Sequence, residues 1–135
     1  MQKKPTLTVV AAALVDGEGR VLLQRRAPDR AMAGLWEFPG GKMEAGETPE
    51  AALVRELEEE LGIEVEAEWL APACFASAAL DARHMILLLY LCRIWRGEAR
   101  PLDAAALQWV SPREMTGLAM PPADRPLIPL LEALI

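Results

Sequence analysis

Apolar residues run almost unbroken from Leu7 to Val15 and again from Val21 to Leu23, separated by Asp16-Gly17-Glu18-Gly19. Runs of this length rich in Val and Leu read as strands, and the acidic, glycine-containing break reads as a turn. Residues 6–15 and 20–26 are therefore expected to form a hairpin. Pro28 to Gly34 reads as a loop, and Leu35-Trp36-Glu37-Phe38 is a short apolar stretch stopped by the turn signal Pro39-Gly40-Gly41. From Thr48 the apolar period changes to that of a helix, with Ala52, Leu53, Leu57 and Leu61 on one face. Thr48 can act as N-cap and Pro49 takes the first helical position. Ala51 at the third position rules out a capping box, and Gly62 supplies the stop. Ile63 to Phe75 and Met85 to Trp95 again read as strands. The second is nearly all apolar over residues 86–91 and so belongs in the middle of a sheet. Leu107 to Val110 reads as a further short strand, Pro112 to Met115 as a helical turn, and Pro126 to Leu134 as a closing helix. One helix in the middle of the strands and one at the end imply an α/β chain, its sheet covered on both faces as an α/β/α sandwich.

The 135 residues suffice for one domain spanning 1–135, and no repeat or linker divides them. A net charge of −6 argues against unspecific binding to nucleic acid, which needs a basic face. It leaves room for a small anion held by metal ions and a few placed cations. Lys3 and Lys4 before the first apolar run loosely outline a signal peptide, but the run passes directly into a turn and a second strand. Nothing reaches the ~18–20 apolar residues of a membrane span. A soluble cytoplasmic protein, monomeric or homodimeric, is expected. Cys74 and Cys92 read as buried, reduced thiols on strands, and His84 as a strand or pocket residue, since no spacing here resembles a zinc site.

The chemistry concentrates in the segment GKMEAGETPEAALVRELEEELGI, residues 41–63. A helix advances about 100° per residue, so Glu56, Glu59 and Glu60 share one face while Glu58 points away. Like charges at this spacing repel, which makes physical sense if a cation sits among them. Taken alone, a glutamate-rich helix is usually a solvated face. Carboxylate ligands suit Mg²⁺, with Mn²⁺ the alternative, rather than zinc. The glycines of Phe38-Pro39-Gly40-Gly41-Lys42 let a carbonyl approach a metal or amides approach a phosphate, and Lys42 offers a point charge to phosphate.

Residues 41–63 match G-x5-E-x7-R-E-U-x-E-E-x-G-U, with U aliphatic, at Gly41, Glu47, Arg55, Glu56, Leu57, Glu59, Glu60, Gly62 and Ile63. Chance agreement is below about one in a million at ordinary residue usage. This is the Nudix box, and the chain resembles the Nudix hydrolases. Gly34 to Lys42, Arg25-Arg26, Arg83-His84, Trp109 and Pro121-Pro122-Ala123-Asp124 are further similar to landmarks of the MutT-like branch. The resemblance implies the Nudix fold, an α/β/α sandwich with a mixed β-sheet, and a Mg²⁺-dependent hydrolase of nucleoside triphosphates. It implies that Glu56, Glu59, Glu60 and the carbonyl of Gly40 bind the cations. Arg55, with Glu47, would orient the catalytic glutamates, Glu56 would be the base, and Asp103 an additional metal carboxylate. It also implies that Arg26, Glu37, Phe38, Pro39, Gly40, Lys42, Arg83 and Asp124 border the nucleotide.

One departure concerns the base. The MutT-like pattern has asparagine at the position of Asp124. Asparagine donates and accepts, whereas ionised aspartate only accepts. Asp124 suits a base edge that presents donors, such as the cytosine amino group, or an 8-oxopurine if the acid is protonated. Two enzyme readings stay open: a pyrophosphohydrolase that clears 8-oxo-dGTP from the nucleotide pool, and a pyrimidine-directed relative acting on CTP or oxidised dCTP. A non-catalytic nucleotide sensor is the reading of another class.

Overall fold

In the computed structural model, which describes residues 5–135, strand β1 (Thr6–Leu14) carries no charged side chain and is flanked on both edges. It pairs in parallel with β6 (His84–Cys92) and antiparallel with β4 (Gly40–Lys42). Beyond β6 lies β5 (Leu70–Ala79), antiparallel to it, so a mixed four-stranded sheet runs β4-β1-β6-β5. A second, antiparallel sheet of three strands places β2 (Val21–Arg25) between β3 (Trp36–Glu37) and β7 (Ala106–Val110). Lys3 and Lys4 lie outside the described residues.

The continuous apolar run of β1 is explained by burial on both sides. Successive side chains of a strand point to opposite faces, so Val10, Ala12 and Leu14 enter one core and Ala11, Ala13 and Val15 the other. The first core is closed by helix α1 (Pro49–Leu61) through Ala52, Leu53, Leu57 and Leu61. The second is closed by α2 (Pro112–Met115) and α3 (Leu127–Leu134) through Met115, Leu127, Ile128 and Leu131. Helices on both sides of a mixed sheet are the expected α/β/α arrangement.

Helix α1 begins and ends where its sequence directs. The Thr48 hydroxyl accepts the N–H of Ala51 at 3.1 Å, Pro49 opens the first turn, and Gly62 closes the helix in the left-handed region with φ 70°. The Tyr90 hydroxyl of β6 donates to Glu50 at 2.5 Å and ties the first turn to the sheet.

The structure corrects four expectations. Residues 6–15 and 20–26 are not a hairpin: β1 and β2 belong to different sheets and share only an isolated bridge between Val15 and Val21. The strand expected from Ile63 begins at Leu70 instead, because Glu64 bridges to Arg96 and Ala67–Trp69 form a 3₁₀ turn. It continues to Ala79, and its partner stops at Cys92 rather than Trp95. Gly40-Gly41-Lys42 extends along β1 as a strand rather than stopping as a turn. Cys92 is buried as expected but Cys74 is only half-buried, and both are free thiols. Among the described residues no helix is long and apolar enough to cross a membrane.

Candidate active site

A cleft of about 660 Å³ opens between the two sheets, a volume in the range of small-molecule sites. Glu60 from α1 and Gly40, Gly41 and Lys42 from β4 line it. Arg26, Glu37, Phe38, Arg83 and Asp124 line it as well, and Asp103 stands on its wall. Of the residues expected to border a substrate, Pro39 does not reach the cleft: it is buried, and its carbonyl accepts the N–H of Ala12 at 2.9 Å.

At one end of the cleft the acidic face of α1 meets β4. Glu60 Oε2 accepts the N–H of Gly40 at 2.9 Å and the side-chain amide of Gln24 at 3.1 Å. Burial pushes the Glu60 carboxyl up to about 8, aided by the charge of Glu56. Arg55 is the hub of the remaining charges. Its guanidinium holds Glu47 through two bonds, at 2.8 and 2.9 Å, reaches Glu56 at 2.8 Å and Glu59 at 3.4 Å, and donates to the carbonyl of Lys42 at 3.2 Å. The bidentate pair holds the Glu47 carboxyl down at about 2. Burial raises the Glu56 carboxyl despite its bond to Arg55. Glu59 is exposed. Arg55 can thus set the orientation of Glu56 and Glu59 from behind.

Every side-chain donor in this cluster is a hard carboxylate oxygen, which fits a magnesium-class cation and not a thiophilic metal. The approach is also tight. A Cβ built on Gly41 would stand 2.5 Å from the Glu56 carboxyl carbon, so only glycine leaves that carboxylate its place. Among the described residues no three acidic, histidine or cysteine side chains already stand at metal-binding separations. Glu56 and Glu59 instead take the donors of Arg55, as mutually repelling carboxylates do. Asp103 is not gathered with them: its carboxylate pairs with Arg30 at 2.8 Å across the cleft wall.

Asp124, which also lines the cleft, is 8% exposed, and burial beside Glu37 pushes its carboxyl up to about 7. Glu37 is raised by burial too, although Arg26 pairs with it at 2.8 Å. The Arg26 guanidinium is fixed further by its bond to the carbonyl of Ala31 at 2.6 Å.

The NUDIX domain family model matches residues 4–131. The chain belongs to the Nudix family. Nudix relatives cover most of its length. It is 40% identical to the CTP pyrophosphohydrolase of Escherichia coli over 92% of this chain and 88% of that protein. It is 36% identical to the 8-oxo-dGTP diphosphatase of the same organism over 93% and 96%. The solution structure of the E. coli ORF135 protein superposes with a TM-score of 0.85 at 36% identity, over 96% of this chain and 91% of that one. Membership of the MutT-like branch of the Nudix hydrolases, the α/β fold and the enzyme class expected from the sequence therefore hold.

Two residues of this Nudix site escaped sequence reasoning. Gln24, at the polar end of β2 beside Arg25, reads as a solvent-facing position, yet it is buried against Glu60. Arg30 lies in a loop 73 positions from its partner Asp103, and no local pattern connects them.

The two glycines of β4 separate fold from function. A Cβ on Gly40 would stand 2.0 Å from the carbonyl oxygen of Val10, a backbone atom that cannot step aside. Gly40→Ala is expected to cost about 3 kcal/mol or more of stability. On Gly41 the obstacle is a movable side chain. Gly41→Ala is expected to melt near the parent temperature while losing most activity, because Glu56 is displaced. Thermal melting and turnover measured on both variants check the pair.

The raised carboxyls also set a pH dependence of stability. A group whose folded pKa exceeds the unfolded value of about 4 contributes stability that is complete below that value and lost as pH rises through the folded pKa. For Asp124 and Glu60 the windows extend up to about 7 and about 8. Metal-free protein is therefore expected to melt at a lower temperature near pH 8.5 than near pH 6. Asp124→Asn should flatten part of that slope, as calorimetry across this range would record.

Proposed function

We propose that the chain works as a single Nudix unit that hydrolyses nucleoside triphosphates to monophosphate and pyrophosphate with a divalent cation, Mg²⁺ or Mn²⁺. The observation that carries this reading is Glu60 in the wall of a nucleotide-sized cleft, with Glu56 and Glu59 on the same face of its helix by their spacing. Arg55 sits behind them with four glutamates, Glu44, Glu47, Glu56 and Glu59, in reach. Bound there, the cation supplies charge neutralisation on the phosphate oxygens and a more acidic water. Glu60, held by Gly40 and Gln24, with Glu56, Glu59 and the Gly40 carbonyl, would be its ligands. Glu56 takes the proton of the attacking water, and burial, which raises its carboxyl, makes it a better base than a free carboxylate. The water oxygen bonds to the β-phosphorus, the bridge to the α-phosphate breaks, and the nucleoside monophosphate leaves with the bridging oxygen. Lys42 and Arg83 on the cleft wall would meet the phosphates and base, with Arg26, Glu37 and Phe38 beside the base.

The relatives named above point to two bases, and Asp124 bears on the choice. Clearance of 8-oxo-dGTP from the nucleotide pool is the primary reading and needs the protonated acid. A pyrimidine-directed reading, CTP or oxidised dCTP, is favoured by the ionised acid, which accepts from the cytosine amino group. A non-catalytic sensor does not explain why every glutamate of the box is kept. The test is incubation with 8-oxo-dGTP, dGTP, CTP and 5-substituted dCTP plus Mg²⁺, with pyrophosphate release as readout. Mg²⁺-dependent release from at least one triphosphate is expected. No release from any of them would overturn the proposal.

A further inference from the structure

Gln24 is the penultimate residue of β2, between Leu23 and Arg25, is 4% exposed, and forms part of the cleft wall beside Glu60. Its Nε2 donates to Oε2 of Glu60 at 3.1 Å. With Glu60 ionised, as a cation ligand must be, that contact fixes which way the amide faces, because the amide oxygen turned toward the carboxylate would set acceptor against acceptor. The oxygen, Oε1, is thereby committed to the opposite side. There it is buried without a hydrogen-bond partner, the only buried side-chain nitrogen or oxygen in that condition among the described residues. Leaving a buried acceptor unmade costs about 1–3 kcal/mol. Met or Leu would fill the same space and continue the apolar run Val21-Leu22-Leu23 without that cost. A glutamine here makes physical sense if a donor reaches Oε1 when the cleft is filled.

The neighbourhood identifies the donor. Both hydrogen bonds to Glu60, from Gln24 and from the N–H of Gly40 at 2.9 Å, engage the same oxygen, Oε2. They pin that oxygen and leave Oε1 of Glu60 to face another ligand. A magnesium-class ion keeps several of its waters, and each such water offers strongly polarised O–H donors and little acceptor capacity. A carbonyl-type oxygen held one bond away from a ligating carboxylate is the matching partner.

We propose that Gln24 is a positioning residue of the cation site. Its amide N–H fixes the orientation of Glu60, and its amide oxygen accepts a hydrogen bond from a water on the cation. The proposal rests on the reading of Glu60 as a cation ligand given above. Groups that orient metal ligands or hold metal-bound water change affinity by about 10–100-fold when removed.

The test is a Mn²⁺ titration of the metal-free full chain, followed by electron paramagnetic resonance, with thermal melting of the same samples. The variants are Gln24→Met, which keeps the length and removes donor and acceptor, Gln24→Leu as a second apolar replacement, and Glu60→Gln as reference. Gln24→Met is expected to bind Mn²⁺ about tenfold more weakly. Its metal-free melting temperature should be at or above that of the parent, because the orphaned acceptor is gone. If both apolar variants fold and bind Mn²⁺ with less than about a threefold loss, the assignment is wrong whatever their stability. A drop in melting temperature with affinity kept would make Gln24 an ordinary packing residue. If Glu60→Gln also leaves Mn²⁺ affinity unchanged, the cation reading itself has failed, and not only the role of Gln24.

Discussion

Glu60→Gln is expected to lower kcat by about a thousandfold while leaving the metal-free protein as stable as the parent. The two halves of this expectation have one origin. The Glu60 carboxyl is lifted to about 8 by its burial, so near neutral pH the metal-free protein already holds it largely protonated. Glutamine is close in shape to that neutral acid, and its oxygen can take over the bond from the Gly40 N–H. What glutamine cannot supply is a negative charge for a cation. Excess Mn²⁺ should therefore recover part of the turnover of Glu60→Gln. Glu56→Gln, as the loss of the base, should fall as far without recovering. The combined variant should lose little more than the worse single change, since residues that act as one unit are not additive. Turnover of the three variants against metal concentration measures this. Retention of more than about a tenth of parental kcat in the combined variant would contradict it.

Asp124→Asn is expected to shift the ratio of kcat/KM for CTP over 8-oxo-dGTP by about a hundredfold toward the oxopurine. Asp124 is buried in the cleft wall, with a carboxyl lifted to about 7 by its burial and by Glu37. Both protonation states are therefore populated near neutral pH, and each suits a different base edge. The ionised form only accepts and pairs with an amino group, while the protonated form both donates and accepts. In the parent protein the cytosine-to-oxopurine ratio should rise from about pH 6 to about pH 8 as Asp124 loses its proton. Asparagine presents a donor and an acceptor at every pH, so the variant should hold a constant ratio that favours the oxopurine. A kcat/KM panel at several pH values checks both effects. An unchanged ratio would remove Asp124 from base reading.

The parts of this molecule that were legible in the sequence are those whose causes are local. Helix α1 is specified within its own residues by the Thr48 cap, Pro49, the spacing of Ala52, Leu53, Leu57 and Leu61, and Gly62. The acidic stripe follows from that helix by geometry alone. Strand partners are another matter. β1 and β2 are joined by a short turn, yet each finds its neighbours elsewhere in the chain, because both faces of β1 must be covered. The strand at Gly40-Gly41-Lys42 was hidden because glycine ordinarily signals a turn. Here it marks a backbone approach so close to Val10 that no side chain fits. Asp103, expected among the metal carboxylates, pairs with Arg30, a partner remote in sequence that no local pattern announces. Gln24 was invisible for the reverse reason: a polar residue where an apolar run gives way to Arg25 ordinarily faces water, and only the fold sets it against Glu60.

The most direct test of the account is a crystal structure with Mg²⁺ and a non-hydrolysable nucleoside triphosphate analogue. A cation is expected about 2.0–2.1 Å from carboxylate oxygens of Glu56, Glu59 or Glu60, touching the phosphate chain as well. A nucleotide seated in the cleft with its phosphates turned away from this helix face, and no cation on the glutamates, would contradict it.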